Sequence, residues 1–164
     1  MVGAESVRNW LFWGPLGVAS LHICEEFIYP GGFAAWYRRY KPSRMASITP
    51  RFLIVVNGLL LIACYDVGVL GPRPSGVALW LTIMALLAAN AGWHVVGAVK
   101  THSYSPGLVT GLLLYVPLAV YGYLRFLGSG EASVATAIVA GLLGASYQIW
   151  TDAIHRWRTR RSTQ

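Results

Sequence analysis

Apolar stretches that are long enough to cross a membrane take up most of this chain of 164 residues. A helix of about 20 residues crosses roughly 30 Å of hydrocarbon, and five such stretches follow one another with short polar segments between them. The mean hydropathy of +0.52 and the charged fraction of 12% are typical of an integral membrane protein. The sequence therefore predicts an all-α bundle of five transmembrane helices in one domain, residues 1–164, with spans at about 10–29, 51–70, 77–99, 107–127 and 133–154.

Turn-forming residues at the ends of these stretches support the predicted limits. Pro30, Gly31 and Gly32 follow the first stretch, where they favour the end of a helix. Thr49 and Pro50 come at the start of the second stretch, to which they supply an N-cap hydroxyl and a proline in the first turn.

Lysine and arginine are concentrated in alternate loops, which predicts the orientation of the helices. One side of the bundle holds the loops after the first and third helices and the C-terminal tail, and it receives Arg38, Arg39, Lys41, Arg44, Arg51, Lys100, Arg156, Arg158, Arg160 and Arg161. The other side receives Arg8, Arg73 and Arg125. The positive-inside rule then predicts an outside N-terminus and a cytoplasmic C-terminus. Because topology accounts for the net charge of +7, we expect membrane lipid as a partner and no nucleic acid.

The first apolar stretch contains three ionisable residues, His22, Glu25 and Glu26. A charged residue near the middle of a membrane helix costs roughly 2.5–3.5 kcal/mol on insertion scales, so such residues need partners. Their spacing of i, i+3 and i+4 places the two carboxyl groups on the same helix face as the imidazole. The motif therefore predicts a buried polar site.

Polar residues on four predicted helices fall at one depth. His22, Asn57, His94 and Gln148 each lie about six or seven residues from the predicted cytoplasmic end of a helix, which corresponds to roughly 10 Å. Polar residues placed independently would scatter through the bilayer. This agreement predicts a single site in the interior of the bundle.

Helical spacing adds further candidates to this site. Asn90 lies one turn before His94 on the same face, with Trp93 at the margin, and Asp152 lies one turn after Gln148. The loop before the fourth helix lies on the same predicted side and is expected to form a lid or mouth. The candidate substrate-binding residues are Asn57, Asn90, Trp93, Tyr104, Thr110, Gln148 and Asp152.

The order and spacing of these polar residues resemble those of the HXXEE family, small bacterial membrane proteins with several transmembrane helices. The resemblance is carried by His22, Glu25, Glu26, Asn90 and His94, together with residues 104–107 and Thr110. It covers about the first four helices. It implies a multi-pass protein, which we expect in the inner (cytoplasmic) membrane, and it implies no particular activity because the family takes its name from a motif.

Acid/base catalysis is the function that the residues favour. Two neighbouring carboxyl groups in a pocket of low dielectric constant do not both ionise easily, so one is expected to hold a proton while the other stays charged. The catalytic candidates are His22, Glu25, Glu26 and His94. They predict isomerisation or cyclisation of a lipophilic small molecule, terpenoid-like or polyketide-like, without a required cofactor.

A metal site is the first alternative. His22, Glu25, Glu26 and His94 offer nitrogen and oxygen donors for zinc or iron, which predicts a mononuclear hydrolase or oxidoreductase in the membrane. The four histidines of the chain are too few for the histidine-rich di-iron site of membrane desaturases. No H-E-x-x-H pattern is present to decide the question.

Two further alternatives involve no catalysis. The carboxylates could serve an ion-coupled transporter or ligand-binding membrane protein, although five spans without an internal repeat fit alternating access poorly. The polar cluster could also serve helix packing alone. A homodimer through the fifth helix is predicted from two small-residue pairs, Ala140 with Gly144 and Gly141 with Ala145.

Overall fold

The computed structural model describes the backbone of residues 2–162 and the side chains of residues 9–161, so the side chain of Arg8 lies outside the described part. The described chain is all-α, as predicted from the sequence. Its helices are α1 (Val2–Phe27), α2 (Phe33–Tyr40), a 3-10 helix (Pro42–Ser47), α3 (Pro50–Leu70), α4 (Pro74–Thr101), α5 (Leu108–Gly128), α6 (Val134–Ala145) and α7 (Tyr147–Ser162).

Four stretches of helix within the described residues are long and apolar enough to cross a membrane: α3, α4, α5, and Val134–Arg161, which comprises α6 and most of α7. The first predicted span corresponds to α1, which is 26 residues long but is not among these four. Its last turns carry His22, Glu25 and Glu26, which lower the hydropathy of the helix. The membrane position of α1 and the direction of each helix across the bilayer stay predictions.

Two local irregularities position residues of the site. The predicted fifth span is interrupted at Ser146, so that α7 begins at Tyr147 and continues to Ser162, beyond the predicted end. Within α5, residues Gly111–Tyr115 form a π-helical turn directly before Pro117. Proline lacks an N–H and its ring crowds the carbonyl four residues earlier, and a wider turn relieves that conflict.

Helix α4 is the central element of the core. Its Trp80, Leu81, Met84 and Leu87 are fully buried among side chains of α1, α3 and α5. The Trp80 indole N–H donates a hydrogen bond of 2.8 Å to the Leu11 carbonyl in α1. The apolar window of α4 is 44% buried within the chain, the largest share among the four candidate spans.

Small residues on α6 let that helix approach α4 closely. Ala140 is 3% exposed, and a Cβ on Gly144 would lie 2.2 Å from the Thr82 carbonyl oxygen. The Ala140 and Gly144 pair is therefore occupied within the chain and is not free for a second copy. The other pair, Gly141 and Ala145, does not belong to the buried core, and a homodimer through it stays a prediction.

Candidate functional site

Three residues from two helices converge at one end of the core: His22 and Glu26 of α1 and His94 of α4. Their residual exposures are 2%, 7% and 0%. Glu26 Oε1 lies 3.6 Å from His22 Nε2 and 3.3 Å from His94 Nε2. One ligand atom from each residue lies within 4.8 Å of the others, so the three residues are candidate ligands of one metal ion. We call these three residues the His/Glu cluster.

A hydroxyl group holds each imidazole in place from its far side. His22 Nδ1 is 2.9 Å from Thr110 Oγ1, and His94 Nδ1 is 2.8 Å from Ser105 Oγ. With Nδ1 engaged, the Nε2 atom of each ring faces Glu26. Among the described residues, the His94 Nε2 atom is buried and has no hydrogen-bond partner.

Gly107 lies directly against both imidazoles. A Cβ at this position would be 2.7 Å from His22 Cε1 and 2.8 Å from His94 Cε1, both shorter than real contacts. The residue also has a φ of +100°, a conformation that L side chains rarely adopt. Only glycine therefore fits at this point of the loop between α4 and α5.

Glu25 has a different environment from its neighbour Glu26. Its carboxylate accepts hydrogen bonds from the Tyr104 hydroxyl and from the backbone N–H groups of Gly107 (3.0 Å), Val109 (3.0 Å) and Thr110 (2.6 Å). These N–H groups belong to the start of α5, where helix donors lack intrahelical partners and the helix dipole favours negative charge. Glu25 thus fixes the loop and α5 to α1, and it is not part of the group of close metal-ligand atoms formed by the His/Glu cluster.

Tyr104 contributes its hydroxyl to this capping arrangement. Burial, together with the hydrogen bond and negative charge of Glu25, raises the pKa of Tyr104 above its ordinary value. The phenol therefore stays protonated at neutral pH and remains a donor to Glu25.

The Glu25→Gln variant is expected to lose stability. The carboxamide keeps the shape of the side chain, but its NH₂ group faces N–H donors and its negative charge is lost, which should cost about 2–4 kcal/mol. Thermal unfolding in detergent measures this loss. Glu131→Gln is the control, since Glu131 is partly exposed and pairs with Arg125 at 3.0 Å, and its loss is expected to cost less than about 1 kcal/mol. Equal unfolding temperatures for the two variants would contradict the capping role.

A chain of polar groups connects the cluster to α7. The Asn90 amide nitrogen is 3.1 Å from His22 Nε2, and the Asn90 oxygen accepts a 2.6 Å hydrogen bond from the Tyr147 hydroxyl. Gln148 Nε2 donates to the same hydroxyl at 2.6 Å. Tyr147 was not predicted from the sequence, because an aromatic residue in an apolar helix has no periodic signal of its own.

A cavity of about 430 Å³ borders the cluster and extends between α3, α4 and α7. This volume lies in the range of about 300–1,000 Å³ that is usual for small-molecule sites. His22 and Glu26 form part of its wall, and apolar residues of α3 and α4 form another large part, including Leu53, Val56, Leu60, Ile83 and Leu87.

The predicted site residues fall into three groups in the structure. His22, Glu26 and His94 form the cluster. Glu25, Tyr104 and Thr110 meet at the start of α5, where Thr110 also contacts His22. The remaining candidates line the cavity: Asn57, Asn90, Trp93, Gln148 and Asp152.

Two of the cavity residues already have partners within the protein. Asn57 donates a 2.9 Å hydrogen bond to the Leu53 carbonyl of its own helix. The Asp152 carboxylate pairs with Lys41, Arg44 and Arg156. These contacts distinguish them from Asn90 and Gln148, which connect to the cluster through hydrogen bonds.

Aromatic residues of α2 close one side of the cluster. Phe33, Trp36 and Tyr37 are buried, and the Trp36 ring stacks on the His94 ring with a centroid distance of 5.9 Å. Gly97 makes room for this indole, because a Cβ there would lie 2.4 Å from it. Helix α2 therefore covers the site at His94.

Comparison with known proteins identifies a family. The family model described as a protein of unknown function with HXXEE motif matches residues 13–122. No curated protein and no solved structure matches the chain. The matched segment contains the His/Glu cluster, the Glu25 cap and Asn90, whereas Tyr147, Gln148 and Asp152 lie beyond it. The resemblance inferred from the motif is thereby confirmed, and the chain belongs to the HXXEE family.

Proposed function

We propose that this protein is a membrane-embedded, metal-dependent enzyme that acts on a lipophilic small molecule, with His22, Glu26 and His94 as the metal ligands. The observation that carries the proposal is the convergence of two imidazole nitrogens on one buried carboxylate oxygen, at 3.6 and 3.3 Å. Ligands held about 2.0–2.1 Å from a tetrahedral metal ion are separated by roughly 3.3–3.4 Å. The spacing therefore suits an ion between the three residues.

The hydrogen bonds around the cluster leave one imidazole nitrogen for a cation. Tyr147 donates to the Asn90 oxygen, so the Asn90 NH₂ group is the one that faces His22 Nε2 and donates to its lone pair. His94 Nε2 is different, because it is buried beside Glu26 Oε1 and has no hydrogen-bond partner among the described residues. A cation beside Glu26 would satisfy this nitrogen.

The donor set indicates which metals suit the site. Two histidines and one carboxylate bind zinc in hydrolytic enzymes and iron(II) in oxygenases, with positions left for substrate. When bound, zinc would supply Lewis-acid chemistry beside the cavity, and iron(II) would supply redox chemistry. The Thr110 and Ser105 hydroxyls supply the outer contacts that commonly orient histidine ligands.

The protein's own groups account for substrate binding and exclusion of water. The apolar walls of α3 and α4 suit a hydrocarbon skeleton, and the Asn90, Tyr147 and Gln148 hydrogen bonds offer a polar contact beside the cluster. The α2 aromatics cover His94 from the opposite side. A lipophilic molecule would thus meet the cluster in a mostly dry environment.

Metal analysis of the purified protein tests this proposal. We expect about one zinc or iron ion per chain after purification in detergent without added chelator, because a buried donor set of this kind binds such metals tightly. Removal of the metal with a chelator should lower the thermal unfolding temperature, and re-addition of zinc or iron(II) should restore it, since a ligand that binds the folded state stabilises it. A protein that is metal-free as purified and whose unfolding temperature does not respond to either metal would contradict the proposal.

Acid/base isomerisation or cyclisation without a metal is the second candidate function. It is favoured by the 3.3 Å distance between Glu26 Oε1 and His94 Nε2, over which a proton can pass between base and acid. Chelation separates the two candidates: turnover of a lipophilic substrate by metal-stripped protein in detergent would support the acid/base enzyme and exclude the metal enzyme.

A further inference from the structure

The end of the cavity away from the His/Glu cluster is charged. Lys41 and Asp152 both line the cavity and lie 3.5 Å apart. Asp152 also pairs with Arg44 and Arg156, so one carboxylate serves three cations. We call Lys41, Arg44 and Arg156 the cation cluster.

Positive charge exceeds negative charge at this end of the cavity. Burial, followed by the neighbouring charges of Arg44, Lys100 and Arg156, lowers the pKa of Lys41. Lys41 is half-buried, with 28% of its side chain exposed, so its charge is only partly screened by solvent. An anionic group placed beside Lys41 would offset the repulsion between Lys41 and its neighbouring cations.

A second concavity continues from the cation cluster toward the outside. It has a volume of about 300 Å³ and is lined by Ser43, Arg44, Arg156, Thr159 and Arg160. Hydroxyl and guanidinium groups together are the donors that bind phosphate, sulfate and carboxylate groups. Both concavities therefore offer cationic groups to an anion, Lys41 in the larger one and Arg44 and Arg156 in the smaller one.

The walls of the large cavity connect this charged end to the His/Glu cluster. Val56, Leu59 and Ile154 line the cavity and are exposed to the extent of 44%, 61% and 45%, so the cavity is open along these residues of α3 and α7. The cavity thus opens sideways between α3 and α7, toward the surface that faces lipid in a membrane protein. A molecule with an apolar tail can enter from the bilayer while its charged head stays at the membrane surface.

We infer that the substrate of the proposed enzyme is an amphipathic molecule with an anionic head, which binds at Lys41 and Arg44, and an apolar tail, which occupies the cavity beside the His/Glu cluster. This inference rests on the proposed function. A neutral hydrocarbon would leave the cation cluster unused, and a cationic amphiphile would be repelled by it.

Binding of three matched amphiphiles tests the inference. Dodecyl phosphate, dodecanol and dodecyltrimethylammonium have the same tail and differ in head charge, and their affinities can be measured by calorimetric titration of the full chain in non-ionic detergent. We expect dodecyl phosphate to bind at least about tenfold more tightly than the other two, because its head makes charge-assisted hydrogen bonds. Equal affinity for dodecyl phosphate and dodecanol would overturn the inference.

Matched variants locate the head. Lys41→Gln is expected to weaken dodecyl phosphate binding about tenfold and to leave dodecanol binding unchanged. Arg39→Gln is the control, since Arg39 is an exposed cation of α2 that lines neither concavity. Equal losses in the two variants would mean that binding follows net charge and would overturn the assignment to Lys41.

Phosphate competition and metal content complete the test of an amphipathic substrate. Inorganic phosphate is expected to compete with dodecyl phosphate only weakly, and competition at equal affinity would show a free-anion site and overturn the amphipathic substrate. Metal content is measured on the same samples. A metal-free protein that still prefers dodecyl phosphate would contradict the proposed metal enzyme alone, whereas a metal-containing protein without that preference would contradict only the amphipathic substrate.

Discussion

Replacement of Gly107 by alanine is expected to abolish metal binding and to lower the free energy of unfolding by roughly 2–5 kcal/mol. The added methyl group would lie 2.7–2.9 Å from atoms of His22 and His94, so at least one ring must leave its position against Glu26. The φ of +100° adds a backbone cost. Metal content per chain and thermal unfolding measure the two effects.

Gly32 provides the matched control for this variant. Its φ of +87° is similar to that of Gly107, but a Cβ at Gly32 would meet nothing within 4 Å. The Gly32→Ala variant should therefore show only the backbone cost of about 1–2 kcal/mol and keep its metal. If both alanine variants retained the metal, or both lost it, the close approach of Gly107 to the imidazoles would not be what matters.

The Glu26→Gln variant is expected to weaken metal affinity at least about 100-fold, because a neutral carboxamide is a much poorer ligand than a carboxylate and the only negative charge of the cluster disappears. The protein should remain folded, since glutamine fills the same space. Competition with a chelating indicator measures the affinity, and thermal unfolding of the metal-free forms measures the fold.

Glu26→Asp separates a ligand role from a packing role. Aspartate keeps the charge but withdraws it by one methylene, so metal affinity should lie between those of the wild type and of Glu26→Gln. If Glu26 served packing alone, the unfolding temperature of Glu26→Asp would fall below that of Glu26→Gln, because glutamine preserves the shape of glutamate better than aspartate does. That order of stabilities, with no change in metal content, would favour helix packing as the function of the cluster.

Much of the fold could be predicted because the apolar stretches of the sequence differ strongly from the polar segments between them. Ionisable residues stand out in apolar stretches, so the pattern alone singles out His22, Glu25, Glu26 and His94, and the structure brings three of these into one cluster. Helical rise then places Asn57 and Gln148 at the same depth, and both line the cavity beside His22. Depth along the helix and helical periodicity together predict which polar residues of a membrane bundle lie near one another.

The different surroundings of Glu25 and Glu26 could not be predicted from spacing. The two residues are adjacent in sequence, and helical geometry places both near His22. The loop between α4 and α5 determines their partners. Its N–H groups donate to Glu25, whereas Glu26 lies beside the imidazoles. Such convergence depends on the positive φ at Gly107, which the sequence alone does not specify.

The break at Ser146 was also beyond sequence reasoning, because it lies inside an apolar stretch where hydropathy is continuous. Ser105 and Tyr147 became site residues only because the local backbone geometry brings their hydroxyls to His94 and Asn90. Backbone deviations over a few residues cannot be predicted from composition or hydropathy.

X-ray absorption at the metal edge of the purified protein tests the central claim most directly, because it reports the ligand atoms themselves. The account predicts two imidazole nitrogens and a carboxylate oxygen at about 2.0–2.2 Å, with the imidazole signal reduced in His94→Ala. A spectrum with sulfur ligands, or one with no imidazole contribution, would contradict a metal ion held by His22, Glu26 and His94.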